Sequence, residues 1–105
     1  MIQIENKEHL ERILNENSAV VMDFYADWCG PCKQLIPTLE KVSEDEKYKG
    51  IAFCKINVDE NEELSTSYGI RSIPTIKYIK KSEVIKTTLG IQTAKAIMTT
   101  LEEIM

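Results

Sequence analysis

The reactive side chains of this sequence are concentrated in three cysteines, Cys29, Cys32 and Cys54. The first two flank Gly30 and Pro31 in a Cys-Gly-Pro-Cys spacing. Residues three apart lie on one side of a helical turn, so the two sulfurs can close a small disulfide ring with little backbone movement. A pair of this kind suits thiol–disulfide exchange, in which one thiolate attacks a disulfide and a second thiol resolves the mixed disulfide. Two other readings compete. Half of a zinc site needs two further Cys or His ligands, and only Cys54 and the single His9 remain, neither at ligand spacing. A purely structural disulfide would staple a very short loop and stabilise little. Three cysteines are also an odd number and too few for a disulfide scaffold.

The pair needs elements to position it. Residues 19–25 are apolar on both faces except at Asp23, the pattern of a central strand covered on both sides. A helix is expected from about 32 to about 48, with Leu35, Ile36, Leu39 and Val42 as its apolar stripe. Pro37 interrupts it and should kink it. Cys29 then lies at the helix start, where unpaired N–H groups and the positive end of the dipole favour a thiolate, the form that attacks disulfides. Pro31 falls in the first turn, where it costs no hydrogen bond. The expectation is an asymmetric pair: Cys29 exposed and attacking, Cys32 more buried and resolving.

Around this unit, Ile2 and Ile4 suggest a short first strand. Asn6 can cap a helix carrying Leu10, Ile13 and Leu14, ending near Asn17. Residues 51–58 read as a second central strand. A short helix through Leu64 and Tyr68 stops at Gly69, which tolerates the left-handed conformation. Ser72-Ile73-Pro74 leads into a strand over 75–79, a turn at Lys81-Ser82, and a strand over 84–89. Thr93 caps a last helix with Ala94, Ile97, Leu101 and Ile104 on one face. This order predicts an α/β fold: a mixed five-stranded sheet, parallel in its first half and antiparallel in its last two strands, sandwiched by four helices.

The chain has 105 residues, a net charge of −4, and 43% apolar and 29% charged residues. One domain spanning 1–105 is expected, with a folded surface of about 6,000 Å². The 13 basic and 17 acidic residues are interleaved, which argues against nucleic acid as the main partner. The first residues contain no apolar signal segment, and strictly apolar runs such as 19–22 are far too short for a membrane span. A reducing compartment is therefore expected, in which a close cysteine pair is redox-active or metal-binding rather than structural.

Residues 21–33 (Val-Met-Asp-Phe-Tyr-Ala-Asp-Trp-Cys-Gly-Pro-Cys-Lys) strongly resemble the active-site segment of the thioredoxin family, and residues 70–75 (Ile-Arg-Ser-Ile-Pro-Thr) resemble the loop that faces it. The matching spacings run along essentially the whole chain. The resemblance implies the thioredoxin fold and a cytoplasmic protein-disulfide reductase, with Cys29 as nucleophile and Cys32 as resolving thiol. It implies that Trp28, Gly30 and Pro31 form part of the surface contacting the target. Pro74 would be cis and close to the sulfurs, the main chain of Ile73 would pair with a bound substrate strand, and Gly90 would give close approach at the groove edge. Asp23 and Lys55 would be a buried pair behind the cysteines. Pro31 resembles the reducing members of the family; oxidising and isomerising relatives usually carry His there. No cofactor need bind: the redox centre is the Cys29–Cys32 disulfide, and NADPH enters indirectly through a thioredoxin reductase. Partners would be disulfide-containing proteins and that reductase, with no nucleic acid and no membrane, and the chain as a monomer. The rivals are an oxidase or isomerase on the same fold, and a non-catalytic module that has kept it.

Other residues carry two readings each. Asp23, mid-strand, is poorly solvated, which raises its pKa and lets it exchange a proton with Cys32 near neutrality; alternatively it is a partly exposed strand-end carboxylate. Lys55 pairs with Asp23 or snorkels to solvent. Cys54 is a small buried apolar residue or a regulatory thiol. Trp28 is a contact surface or a partly exposed core aromatic. The base rate for X–Pro bonds favours trans at Pro74; cis is implied by the resemblance. His9 is expected on the exposed face of the first helix. Lys81-Ser82 departs from the Asn-Gly turn common in the family, which leaves the hairpin geometry open.

Overall fold

The structure, a computed structural model, describes all 105 residues. It contains five strands, β1 (Ile2–Gln3), β2 (Ala19–Tyr25), β3 (Ala52–Asn57), β4 (Thr75–Lys80) and β5 (Glu83–Leu89), and four helices, α1 (Lys7–Glu16), α2 (Gly30–Ser43), α3 (Glu62–Ser67) and α4 (Ala94–Ile104). The strands form one sheet in the order β1-β3-β2-β4-β5. The pairs β1·β3 and β3·β2 are parallel, whereas β2·β4 and β4·β5 are antiparallel.

β2 is central because its sequence is apolar on both sides, and every one of its residues is buried. Strand side chains alternate between faces, so β2 divides the core in two. Ala19 and Val21 pack with Leu35, Leu39 and Val42 of α2 and Ile97, Leu101 and Ile104 of α4. Val20, Met22 and Phe24 pack with Leu10 of α1 and Leu64 of α3 on the opposite side. Each such large apolar side chain contributes about 1.5–3 kcal/mol on full burial. By parity Asp23 belongs to the α2/α4 side. The exposed surface, 5938 Å², matches the size expected for a well-folded chain of this length.

The helix starts follow their capping residues. Asn6 Oδ1 accepts from the His9 N–H at 2.8 Å, and Thr93 Oγ1 accepts from the Ala96 N–H at 3.1 Å. His9 is half-buried rather than fully exposed, and its Nδ1 accepts from the Glu5 N–H at 3.0 Å. The two side chains thus satisfy two N–H groups at the start of α1, that of His9 and that of Glu5 just ahead of the cap. α3 ends where Gly69 adopts φ +67°.

Three expectations about boundaries need correction. α2 begins at Gly30 and ends at Ser43; the chain then makes a separate 3-10 turn, Glu46–Tyr48, capped by Asp45. The helix runs continuously across Pro37, which occupies an exposed position in it. β3 is shorter than 51–58 by one residue at each end. At the β4–β5 turn both Lys81 (φ 50°) and Ser82 (φ 66°) are left-handed. A two-residue hairpin loop requires this conformation to match strand twist, so the geometry is retained without the residues that adopt it most easily.

Candidate active site

The site forms where the C-terminal end of β2 turns into α2. Cys29 is the N-cap of α2 in extended conformation, and Pro31 sits in the first turn. Cys29 Sγ accepts the Cys32 N–H at 3.2 Å, so the sulfur occupies the place of a capping oxygen. The two cysteines are joined as a disulfide with Cα atoms 5.3 Å apart. Once reduced, a thiolate on Cys29 is favoured by that N–H and by the helix dipole.

The expected exposure of Cys29 needs correction. Its exposure is 5%, against 0% for Cys32. The asymmetry has the expected sign, but Cys29 is nearly buried rather than displayed. The covering side is the loop before β4, where Cys29 Sγ lies 3.9 Å from the Ile73 carbonyl oxygen. The Ile73–Pro74 peptide bond is cis. Ile73 takes part in no backbone hydrogen bond, whereas the Pro74 carbonyl accepts the Gly90 N–H at 2.8 Å. Gly90 has φ +81°, a region that favours glycine. That bond fixes Pro74, and the backbone N–H and C=O of Ile73 remain without a backbone partner beside Cys29.

Trp28 is 71% exposed, so it is not a core aromatic. Its indole is nevertheless held, since Nε1–H donates to Asp59 Oδ2 at 2.8 Å. Asp59 is itself positioned by its N–H, which donates to Asn57 Oδ1 at 2.9 Å. Trp28, Val58, Ile70, Arg71 and Ile73 line an open groove of about 190 Å³ next to the cysteines. Gly30 and Pro31, between the two cysteines, are exposed. Sequence reasoning missed Asp59: nothing in the acidic stretch after β3 announces that its first residue has a partner 31 positions away.

Asp23 is 0% exposed, and neither of its carboxylate oxygens has a hydrogen-bond partner. Burial pushes its carboxyl up from 3.8 to about 7, opposed by the positive charge of Lys55. Lys55 lies directly across the β2–β3 ladder from Asp23. The two form no ion pair, which corrects the expectation of a buried pair in contact. The half-buried Lys55 turns its ammonium over the Tyr25 ring instead, 5.6 Å from the centroid. On the other flank, Tyr78 of β4 has its phenol pushed up to about 12, first by burial and then by the charge of Asp23. Cys54 is a buried free thiol on the opposite side of the sheet, with Met22 and Ile56. Burial raises it to about 12. No group of three or more His, Cys, Asp or Glu is assembled for a metal ion.

Comparison with known proteins agrees with this geometry. The sequence model of the family described as Thioredoxin matches residues 1–103. A thioredoxin from Mycoplasmoides gallisepticum is 43% identical over 90 residues, covering 86% of this chain and 88% of its own. The chain belongs to the thioredoxin family. Among solved structures, a variant thioredoxin from Halobacterium salinarum superposes with a TM-score of 0.91 at 34% identity, covering 98% of this chain and 88% of the other. The thioredoxin of Fasciola hepatica gives 0.90 at 28% identity over the full length of both. The fold is thus the thioredoxin fold, and the activity is thiol–disulfide oxidoreduction acting on protein disulfides. Thioredoxins carry their redox centre in the chain and need no prosthetic group, and here the Cys29–Cys32 pair supplies it.

Proposed function

We propose that Cys29 is the attacking thiolate of this thioredoxin, that Cys32 resolves the mixed disulfide, and that Asp23 accepts the Cys32 proton. The observation that carries the assignment is the position of Cys29 Sγ, at the α2 N-cap on one side and 3.9 Å from the Ile73 carbonyl on the other. In the reducing direction the Cys29 thiolate forms a bond to one sulfur of the target disulfide and expels the other as a thiolate. Cys32 then loses its proton to the Asp23 carboxylate. Its thiolate attacks Cys29, the bond between Cys29 and the target breaks, and the target leaves reduced. The supports for the Asp23 role are its burial and a carboxyl poised near neutrality, where proton transfer is most effective.

Trp28, Gly30, Pro31, Ile73, Pro74 and Gly90 are assigned to target binding. The unpaired peptide groups of Ile73 offer an extended target segment main-chain hydrogen bonds of the strand-addition kind, and the groove beside Trp28 takes an apolar side chain. Lys55 acts at a distance, through its charge. We assign the protein to the cytoplasm as a monomer whose disulfide is rereduced by an NADPH-linked thioredoxin reductase. The reducing-type Pro31 supports that direction of flow. Reduction of insulin disulfides with dithiothreitol as electron source tests the reading. The parent should outpace a Cys29→Ser control by orders of magnitude, and equal rates would defeat it. A Cys32→Ser variant should accumulate mixed disulfides on Cys29 with its targets.

A further inference from the structure

Asp23 and Lys55 stand directly opposite each other in the β2–β3 ladder. Side chains directly opposite are close neighbours on one sheet face, and a carboxylate beside an ammonium ordinarily forms an ion pair. Here the carboxylate is fully buried with neither oxygen bonded, while the ammonium sits over a ring two residues farther along β2. That ring belongs to Tyr25, which lies diagonally across from Lys55 on the same face, so Lys55 has two alternative seats. The ring is fixed in turn: Tyr25 Oη donates to Gln3 Oε1 at 3.0 Å, and Gln3 Nε2 donates to the Lys55 carbonyl at 3.4 Å. Gln3 is also the register partner of Lys55 on β1. Tyr25 of β2 and Gln3 of β1, one residue from each strand flanking β3, therefore hold the ammonium in place.

We propose that Tyr25 is a positioning residue for the redox reaction: its ring, clamped by Gln3, seats the Lys55 ammonium away from Asp23 and leaves the carboxyl without a counterion. The proposal rests on the reading of Asp23 as proton acceptor for its role in turnover, though not for the seating itself. An ion-paired Asp23 would be a weak base near neutral pH, because an adjacent cation holds a carboxyl down. With Lys55 parked on the ring, the carboxyl keeps the raised affinity for a proton that burial gives it. The cation still acts through space, which keeps that affinity within the useful range. The other groups facing Asp23 are few. β4 presents Tyr78, α2 presents Cys29 and Cys32, and α4 contributes Ile97, Leu101 and Ile104 to that side. Lys55 is the only cation among them, so its seat decides the charge environment of the carboxyl.

The test is the Asp23 carboxyl titration, followed by carbon-13 NMR in the oxidised protein, where neither active-site cysteine titrates. Replacing Tyr25→Leu removes the ring and should lower the Asp23 midpoint by about one pH unit, a tenfold change in proton affinity. Tyr25→Phe keeps the ring and should hold the midpoint within a few tenths. In a Lys55→Met background the Tyr25→Leu effect should vanish. An unchanged midpoint in Tyr25→Leu, or an equal drop with Lys55 absent, would overturn the proposal. Should Tyr25→Leu fail to fold, the parent decides: the Lys55 Cε protons must show an upfield ring-current shift, and a random-coil value overturns the seating. These readouts do not depend on turnover. An Asp23→Asn variant with unaltered kinetics would remove the acceptor role while leaving the seating to be judged by its own titration.

Discussion

Asp23 and Cys54 are one register step apart on adjacent strands and point to opposite faces of the same sheet. Both are 0% exposed. Desolvation disfavours the charged form of either, and it raises both, Asp23 to about 7 and Cys54 to about 12. The same physical cause has opposite consequences because the starting points differ. A carboxyl pushed up arrives at neutrality and becomes a usable proton acceptor. A thiol pushed up leaves the physiological range and becomes inert. Position completes the contrast, since the Asp23 side of β2 carries the cluster that includes Tyr25, Cys29 and Cys32, whereas Cys54 packs in an apolar cluster with Met22, Phe24 and Ile56. Burial of a titratable group is therefore not by itself a sign of function.

The largest effect expected from this contrast is on the thiols. Brief alkylation of the reduced protein at pH 7 should modify Cys29 and spare Cys54. Cys29→Ser should cut disulfide turnover by on the order of a thousandfold or more, since it removes the nucleophile. Mass spectrometry of the labelled peptides and the insulin assay check the two statements, and equal labelling of Cys54 would erase the comparison.

Next in size is Asp23. Above pH 7, Asp23→Asn should slow resolution of the mixed disulfide by on the order of a hundredfold, and the gap should narrow below pH 6, where the parent carboxyl is already protonated. Stopped-flow rates across that range measure it. The same substitution sharpens the comparison thermodynamically. The folded carboxyl at about 7 lies above its ordinary 3.8, so between these values the folded state binds the proton that the unfolded state has lost. The contribution of this carboxyl to the stability of the parent is full below pH 4, falls as pH rises towards 7, and is lost above it. At about 1.4 kcal/mol for each pH unit, the loss is on the order of 4 kcal/mol. Urea midpoints of the parent should decline over that window, and those of Asp23→Asn should stay nearly level.

Cys54→Ser should behave in the opposite manner. It places an unpaired hydroxyl among apolar side chains and should cost about 1–3 kcal/mol, with turnover within twofold of the parent. The smallest effect lies outside both faces, at the β4–β5 turn. Replacing Lys81→Asn and Ser82→Gly relieves two left-handed side-chain positions and should stabilise the protein by about 1 kcal/mol, again without a change in turnover. Thermal unfolding measures both.

Some of this was written in the local pattern of residues. The doubly apolar stretch around Asp23 marked a central strand, Asn6 and Thr93 marked helix starts, and the cysteine spacing behind a strand marked the chemistry. These are short-range regularities, governed by side-chain periodicity and by the unpaired N–H groups at helix ends, and adjacent residues are enough to express them. The end of α2 at Ser43 was less legible, because 44–48 retains helix-forming residues while packing of Tyr48 into the core closes a tighter turn.

What the amino-acid order determined alone was therefore the identity of the reacting groups, the elements that carry them, and the presence of a carboxylate in a strand that has no solvent to offer it. Only the folded arrangement decided how those groups meet. It drew the Ile73 loop over Cys29, tied Trp28 to Asp59, and sent Lys55 to Tyr25 instead of Asp23. Each of these depends on residues far apart in the chain whose distances are set by strand order and register, and a charge in a low-dielectric interior responds to where its neighbours come to rest, not to their order in the chain.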